Sequence, residues 1–130
     1  MSNYLMDTNI VIEYLKGNKK VLNSLAQAIS SGEDVFINGI VYYEIKRGLS
    51  PSQSTKFNQL KKAITTIWLN NQKIFNEAAS IYANLKKIGQ LIGDADILIA
   101  ATAKAKNLVI VTDDSDFQRI NVIQTVNWLI

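Results

Sequence analysis

A run of four aliphatic residues, Leu108–Val111, constrains the fold of this chain more than any other segment. A strand that is apolar on both faces must be covered on both sides, which is typical of the interior of a parallel sheet. Short apolar runs at Tyr4–Met6 and Val35–Ile37 predict two more strands, and Val122–Ile123 predicts a last one. Because helical periodicity separates these strands, we expect an α/β fold with helices on both faces of the sheet.

The spacing of apolar residues marks the helices between the strands. The predicted helices are Thr8 to Leu15, one that ends at Ser30–Gly32, Ile40 to Leu49, two on either side of Asn70–Asn71, Ala95 to Lys106, and a short capped turn at Asp113 to Arg119. The first helix of the Asn70–Asn71 pair begins near Pro51, and its apolar positions extend to Ile64 and Ile67. We expect the two helices of this pair to pack antiparallel.

Length and composition predict a single domain over residues 1–130. A chain of 130 residues, of which 48% are hydrophobic, can bury a sizeable core. No apolar run approaches the ~18 residues that a bilayer-spanning helix needs. The first residues, Met1–Tyr4, do not begin a signal peptide. We therefore expect a cytoplasmic protein that does not contact membranes.

The chain contains neither cysteine nor histidine, which excludes several classes of chemistry. Without cysteine there are no disulfides, thiolate nucleophiles or cysteine-ligated zinc sites. Without histidine there are no serine–histidine–aspartate triads, no histidine-dependent ribonuclease chemistry and no HExxH metal sites. Any catalysis must therefore use carboxylates, hydroxyls, lysine, arginine or tyrosine.

Charge is distributed unevenly, although the net charge is only +3. Residues 45–93 contain eight basic residues and a single acidic one, Glu77, for a net charge of +7. The basic residues are Lys46, Arg47, Lys56, Lys61, Lys62, Lys73, Lys86 and Lys87. Five of the seven aspartates lie in residues 94–116. This arrangement is typical of a protein that holds an anionic partner beside a carboxylate-rich site, but solvated lysine-rich helix faces are the favoured explanation of the charge pattern taken alone.

Carboxylates occur where parallel sheets place their sites, beyond the carboxyl ends of strands. Asp7 follows the first strand, and Asp113 and Asp114 follow the strand that ends at Val111. Glu44 lies in mid-helix among apolar and aromatic residues, where a carboxylate is costly unless it is paired or metal-bound. Capping of helix N-termini is the competing explanation for each aspartate taken alone.

Considered together, the carboxylates favour a metal site. Asp7 and Asp114 emerge at strand ends, while Glu44 and Asp96 lie on helices that can approach the same edge of the sheet. Oxygen ligands without histidine suit a hard cation such as Mg²⁺ or Mn²⁺. Such cations activate water and neutralise charge in phosphodiester hydrolysis.

Motifs along the whole chain resemble the PIN-domain ribonucleases and, more narrowly, the VapC-type toxins of bacterial type II toxin–antitoxin pairs. The motifs are Leu5–Ile12 (LMDTNIVI), Tyr42–Leu49 (YYEIKRGL), Asp94–Ala101 (DADILIAA), Val111–Phe117 (VTDDSDF) and the closing Asn127–Trp128. No single motif is sufficient, but the first four, in this order and at this spacing, are specific.

The resemblance implies a PIN-like α/β/α sandwich with a small parallel sheet and a helical arm. It implies Mg²⁺- or Mn²⁺-dependent endonucleolytic cleavage of RNA, with 5′-phosphate and 3′-hydroxyl ends on the products. It also implies a small cognate antitoxin protein as a partner, and we expect the chain to form a homodimer. The apolar character of residues 10–15 predicts that a partner protein covers a surface near these residues and the arm helices, with burial inside the chain or in a homodimer as the alternatives.

The resemblance also implies which acids form the site. Asp7, Glu44 and Asp96 match the first three acidic ligands of the family. At the fourth position Asp114 is favoured, and Asp116 is interpreted as a nearby residue of the metal site that binds a metal-bound water or orients the other acids.

Other residues of the motifs are expected to support these acids. Asp113 is an alternative to Asp114 and Asp116 for the fourth position, and Asp94 is interpreted as a helix cap. The resemblance implies that Thr8, Asn9 and Thr112 orient the acids or a phosphate by hydrogen bonds.

Rival interpretations fit the sequence less well. A receiver-like domain needs paired acids after the first strand and an aspartate after a middle strand, whereas here Asp7 stands alone and Val35–Ile37 is followed by Asn38. A DxD-type phosphatase is excluded because Thr8 and Asn9 follow Asp7. The remaining alternative is a non-catalytic PIN-like scaffold that binds RNA or protein, and the intact set of acids argues against it.

Overall fold

A computed structural model describes residues 2–130, and Met1 lies outside the described residues. The strands are β1 (Tyr4–Met6), β2 (Val35–Asn38), β3 (Thr65–Ile67), β4 (Val109–Val111) and β5 (Gln124–Val126). They form one parallel sheet in the order β3-β2-β1-β4-β5. The parallel α/β prediction is thereby confirmed.

Within residues 2–130, six α-helices and one 3₁₀ helix connect the strands. They are α1 (Thr8–Leu15), α2 (Lys19–Ser30), α3 (Gly39–Gly48), α4 (Pro51–Ala63), α5 (Gln72–Lys87), α6 (Asp94–Lys106) and the 3₁₀ helix Ser115–Arg119. The chain steps from β1 to β3 in one direction across the sheet and then returns to β4 on the other side of β1. Right-handed crossovers therefore place α1 to α4 and α5 to α6 on opposite faces, as an α/β/α sandwich. None of these helices, within residues 2–130, has the length and apolar character needed to cross a membrane.

The two central strands are buried on both faces, as the sequence predicts. Leu5 and Met6 of β1, and Ile110 and Val111 of β4, have no exposed surface. Neighbouring residues of the two strands pair in register, with Met6 opposite Val111. The ends of β1 and β4 therefore lie side by side at the carboxyl edge of the sheet.

The predicted partner surface on α1 is largely buried within the chain. Ile10 and Val11 are fully buried, and Leu15 is 4% exposed. Of the apolar and aromatic residues in this stretch, Ile12 and Tyr14 remain partly exposed. Burial inside the chain, the alternative to a partner, therefore accounts for most of the apolar character of α1.

Two strands differ from the prediction. Helix α4 ends at Ala63, and Thr65–Ile67 forms the edge strand β3 in place of the predicted last helical turn with Ile64 and Ile67. Thr65 and Thr66 are β-branched, and pairing with β2 provides the hydrogen bonds that a helix would otherwise supply. The last strand is Gln124–Val126, directly after the predicted Val122–Ile123. The apolar pair did not mark it correctly, because an edge strand does not need a continuous apolar run.

The antiparallel helix pair also differs from the prediction. Helix α5 packs along α6, and this is the most extensive contact between two helices of the described chain. Helix α4 instead packs on α1 and β3. The buried stripe of α5 (Ile74, Ala78, Ile81 and Leu85) has the predicted periodicity. Periodicity identifies the buried face of a helix but not its partner, so the pairing of α4 with α5 is wrong.

Candidate active site

An open cleft of about 430 Å³ lies at the carboxyl edge of the sheet. It is lined by Asp7, Thr8, Asn9, Glu44, Asp96, Asp113, Asp114 and Ser115. The cleft lies where the chain leaves β1 and β4, the strands between which the direction of the strand order reverses. Such switch points are where open α/β sheets bind their ligands.

Asp7 is the most enclosed acid of the cleft, with 5% of its surface exposed. Its Oδ1 accepts a hydrogen bond from the backbone N–H of Ile10 at 3.1 Å, so Asp7 is the N-cap of α1. Its Oδ2 accepts a hydrogen bond from the hydroxyl of Thr112, which is also buried. Burial raises the pKa of Asp7 to about 6, although both hydrogen bonds oppose the shift. Asp7 therefore both caps α1 and lines the cleft.

Glu44 projects from α3 toward the same cleft. Its Oε1 accepts a hydrogen bond from the Thr8 hydroxyl at 2.6 Å. Its Oε2 lies 3.7 Å from Nη2 of Arg47, one turn further along α3. Thr8 in the first turn of α1 thus holds one oxygen of Glu44, and Arg47 of α3 pairs with the other.

Three further acids form a compact group. One carboxylate oxygen from each of Asp96, Asp114 and Asp116 lies within 4.8 Å of the others. Asp114 caps the 3₁₀ helix by accepting from the backbone N–H of Asp116 at 2.9 Å. Burial, together with the charges of Asp114, Asp116 and Glu44, raises the pKa of Asp96 to about 6. A donor set made only of carboxylate oxygens fits a hard divalent cation such as Mg²⁺ or Mn²⁺.

The two remaining aspartates of the motifs lie outside this group. Asp113 lines the cleft, but its Oδ1 accepts a hydrogen bond from the amide of Asn9 at 2.8 Å. Asp94 is exposed and is the first residue of α6, whose N-cap is Gly93. Because the N-terminus of α6 has no side-chain cap, the interpretation of Asp94 as a helix cap is wrong.

The fold agrees with comparisons to known proteins. The PIN domain family matches residues 4–123. The chain belongs to the PIN-domain family.

Relatives of this PIN domain carry VapC names. Ribonuclease VapC1 of Methanocaldococcus jannaschii is 34% identical over 92% of this chain and 82% of its own length. Ribonuclease VapC2 of Haemophilus influenzae is 28% identical over 99% of this chain and 100% of its own length. VapBC2 of Rickettsia felis, solved bound to a DNA fragment from its promoter, has a TM-score of 0.88 and 25% identity, and the match covers 96% of this chain and 98% of that one. The resemblance to VapC-type PIN domains is thereby confirmed.

A buried polar pair that no motif of the sequence indicated connects the end of β2 with α6 in this PIN domain. Asn38 is fully buried and caps α3 by accepting from the backbone N–H of Val41 at 3.0 Å. Its side-chain amide donates to the hydroxyl of Thr102 on α6 at 3.1 Å. This bond joins the two helices that carry Glu44 and Asp96. A polar residue directly after an apolar strand is the sequence signal that could have identified Asn38.

Arg119 is a second supporting residue that the sequence analysis missed. Its Nη2 lies 3.5 Å from Oδ1 of Asp116, and its Nη1 donates to the carbonyl of Leu91 at 3.2 Å. The guanidinium therefore connects the 3₁₀ helix with the loop that precedes α6. The pair with Asp116 has the i,i+3 spacing of helical ion pairs, but no local pattern marks the contact with Leu91, because Leu91 and Arg119 are distant in sequence.

Proposed function

We propose that this PIN domain is a Mg²⁺- or Mn²⁺-dependent endoribonuclease that acts as the toxin of a toxin–antitoxin pair. The single observation that carries the proposal is the group of Asp96, Asp114 and Asp116 at the switch point of the sheet. Family membership and the ribonuclease names of the VapC relatives support RNA as the substrate.

In this proposal Asp96, Asp114 and Asp116 hold the cation, and Asp7 and Glu44 complete the acidic site. When bound, a divalent cation supplies activation of water and neutralisation of charge on the phosphate. The protein positions its acids before substrate arrives, because hydrogen bonds within the fold hold Asp7 and Glu44. Fixed charges of this kind need no reorganisation during the reaction.

The proposed reaction is hydrolysis of an RNA phosphodiester. An oxygen from water forms a bond to phosphorus, a proton of that water passes to solvent, and the bond from phosphorus to the 3′ oxygen breaks. The departing 3′ oxygen takes a proton from solvent, because the chain has no histidine to supply one. The products carry a 5′-phosphate and a 3′-hydroxyl, whereas attack by the ribose 2′-hydroxyl would leave a cyclic phosphate.

Mapping the ends of cleaved RNA tests this proposal. The purified protein is incubated with total RNA in Mn²⁺, in Mg²⁺ and in excess EDTA, and the new ends are sequenced. We expect cleavage only with the cations, and only 5′-phosphate and 3′-hydroxyl ends. Undiminished cleavage in EDTA, or cyclic phosphate ends, would refute the mechanism. If Mn²⁺ neither binds by calorimetry nor supports cleavage, the non-catalytic scaffold is the better description.

We also propose a cognate antitoxin and a homodimer as partners. The R. felis relative, solved as VapBC2, supports a partner protein. Co-expression with the product of an adjacent reading frame should yield a co-purifying complex and relieve growth inhibition. Light scattering of the chain alone should give twice its mass of 14.5 kDa. Harmless expression together with failure to bind any neighbour would remove the support for a toxin.

We propose finally that residues 1–130 act as a single PIN-like domain. The buried residues of both helical layers and of the sheet belong to one hydrophobic cluster, which supports this. A single cooperative unfolding transition, detected equally by fluorescence and circular dichroism, is the expected result. Two separated transitions would contradict it.

A further inference from the structure

The side of α3 that faces away from the core carries aromatic and cationic residues that begin at the cleft. Glu44 at the cleft pairs with Arg47, and the Arg47 guanidinium lies 5.3 Å from the centroid of the Tyr43 ring. Tyr43 is 60% exposed although Arg47 lies beside it. At 100° per residue, the next positions around the helix are Lys46, which is exposed, and Tyr42. Charge and aromatic surface therefore alternate around α3 from the cleft outward.

The series of side chains continues onto α4 and the end of β3. Tyr42 contacts the indole of Trp68 edge to face, with ring centroids 5.0 Å apart. The Lys61 ammonium of α4 lies 5.2 Å from the Tyr42 centroid. Trp68 follows β3 at the same edge of the sheet as the cleft, and it is 53% exposed.

The position of Trp68 is fixed by close packing on α3. A Cβ atom at Gly39 would lie 3.4 Å from the indole ring, so the ring rests directly on the first turn of the helix. A large aromatic surface is thus held in place and yet half exposed. We name the set Arg47, Tyr43, Lys46, Tyr42, Lys61 and Trp68 the α3 strip.

We propose that the α3 strip binds single-stranded RNA and leads it to the acidic cleft. Proteins that bind single strands combine cations along the backbone path with aromatic rings on which bases stack. In the α3 strip, Tyr43 and Trp68 are the exposed rings, and the three cations are the phosphate partners. The inference rests on the proposed ribonuclease function and assigns the residues outside the acidic cleft that hold the RNA; stacking on them requires unpaired bases, because duplex bases are already stacked on one another.

The composition of the α3 strip favours RNA over a protein partner. Two of its three cations are lysines, and lysine is depleted in protein–protein interfaces. No carboxylate belongs to the strip, and the segment 45–93 around it carries only Glu77 as an acid. The strip is also continuous with the cleft through the pair of Arg47 and Glu44.

Binding of a fluorescein-labelled oligouridylate in EDTA, where the proposed cleavage cannot occur, tests the inference. Trp68→Leu and Tyr43→Leu should each weaken binding at least about fivefold, the lower end of the effect of removing one stacking ring. Phe75→Leu is the matched control, because Phe75 is an aromatic residue of α5 with 48% exposure outside the strip. The affinity for an RNA duplex of equal length should be the same in both strip variants as in the unmodified protein.

Intrinsic fluorescence provides an independent readout. Trp128 is 7% exposed and packs on Tyr4, so quenching by oligouridylate should come from Trp68 and disappear in Trp68→Phe. Circular dichroism confirms folding of each variant, and Tyr43→Leu tests the strip even if Trp68 variants fail to fold.

Each alternative outcome bears on a different proposal. Unchanged oligouridylate affinity in both leucine variants overturns the proposal that the α3 strip binds single-stranded RNA. A loss of duplex affinity equal to the loss of oligouridylate affinity also overturns it. Loss of antitoxin binding with RNA binding intact also overturns it and assigns the surface to a protein. Absence of Mn²⁺-dependent cleavage by the unmodified protein refutes the proposed function instead, since the binding measurement in EDTA does not depend on it.

Discussion

The hydroxyl of Thr112 at the end of β4 donates a hydrogen bond to Oδ2 of Asp7 at the end of β1, across 105 positions of sequence. The same hydroxyl oxygen accepts the backbone N–H of Asp114 at 2.9 Å. One buried side chain therefore positions two acids of the cleft, one directly and one through its backbone. The parallel register of Met6 and Val111 makes this possible, because it brings the two strand ends side by side.

Replacement of Thr112 by valine should weaken cation binding while preserving the fold. Valine keeps the shape of threonine but removes both hydrogen bonds, so Asp7 and Asp114 lose their common support. Loss of a residue that orients metal ligands typically costs about 10- to 100-fold in metal affinity. Calorimetric titration with Mn²⁺ measures the effect, and Thr65→Val on the exposed edge strand is the control. Equal affinities in the two variants would show that Thr112 has no positioning role.

Removal of a cleft acid should abolish RNA cleavage. We expect Asp7→Ala, Glu44→Ala and Asp96→Ala each to reduce Mn²⁺-dependent cleavage by at least about a hundredfold, a typical loss when one group that stabilises transition-state charge is removed. Asp94→Ala is the matched control, since Asp94 lies two residues from Asp96 but outside the group of acids. Full activity of the Asp7 variant, or an equal loss in the Asp94 variant, would contradict this assignment.

Stability without metal should decrease as pH rises. The pKa values of Asp7 and Asp96 are about 6 in the folded protein against an ordinary value of 3.8, so the folded state retains protons that the unfolded chain has lost. Their contribution is complete below the unfolded pKa and is lost as pH rises through the folded pKa. The free energy of unfolding in EDTA, measured with urea, should therefore fall between pH 3.8 and about 6. Asp96→Asn should reduce this dependence and unfold less readily at neutral pH, and an unchanged pH profile would contradict the raised pKa.

Divalent cations should raise the melting temperature of the unmodified protein. A ligand that binds only the folded state stabilises it by mass action. The same concentration of Mn²⁺ should have little effect on Asp96→Asn, in which the group with Asp114 and Asp116 has lost one carboxylate. Thermal melts of both proteins in EDTA and in Mn²⁺ decide the point. Parallel shifts in the two proteins would exclude Asp96 from the cation site.

Salt should weaken RNA binding through the basic residues of segment 45–93. Each phosphate contact on a single strand contributes about −0.7 to the slope of log affinity against log salt. Neutralising Lys61 and Lys62 together should therefore flatten the slope and leave turnover at saturating RNA nearly unchanged. Lys104→Gln with Lys106→Gln removes the same charge from the end of α6 and is the control. Equal slopes in all three proteins would leave these lysines with a role in solvation alone.

The sequence predicts the order of elements well where local patterns decide them. The aliphatic run of β4 and the helical periodicity of α5 both appear in the structure. Helical periodicity is misleading at Ile64 and Ile67, whose spacing fits a helix although the chain extends into β3. Pairing with β2 determines that strand, and β2 lies far from it in sequence. Local periodicity cannot report a hydrogen-bonding partner that only the folded sheet provides.

By itself, the sequence of this protein determines the alternation of strands and helices, the exclusion of histidine and cysteine chemistry, and the positions of acids after strand ends. Only the tertiary structure decides which acids meet: Asp96 with Asp114 and Asp116, while Asp113 turns to Asn9. The physical reason is the separation in sequence over which each kind of interaction acts. Periodicity and capping act over one or two helical turns, whereas the site forms from strand ends and helix starts brought together by parallel register and by packing across the sheet.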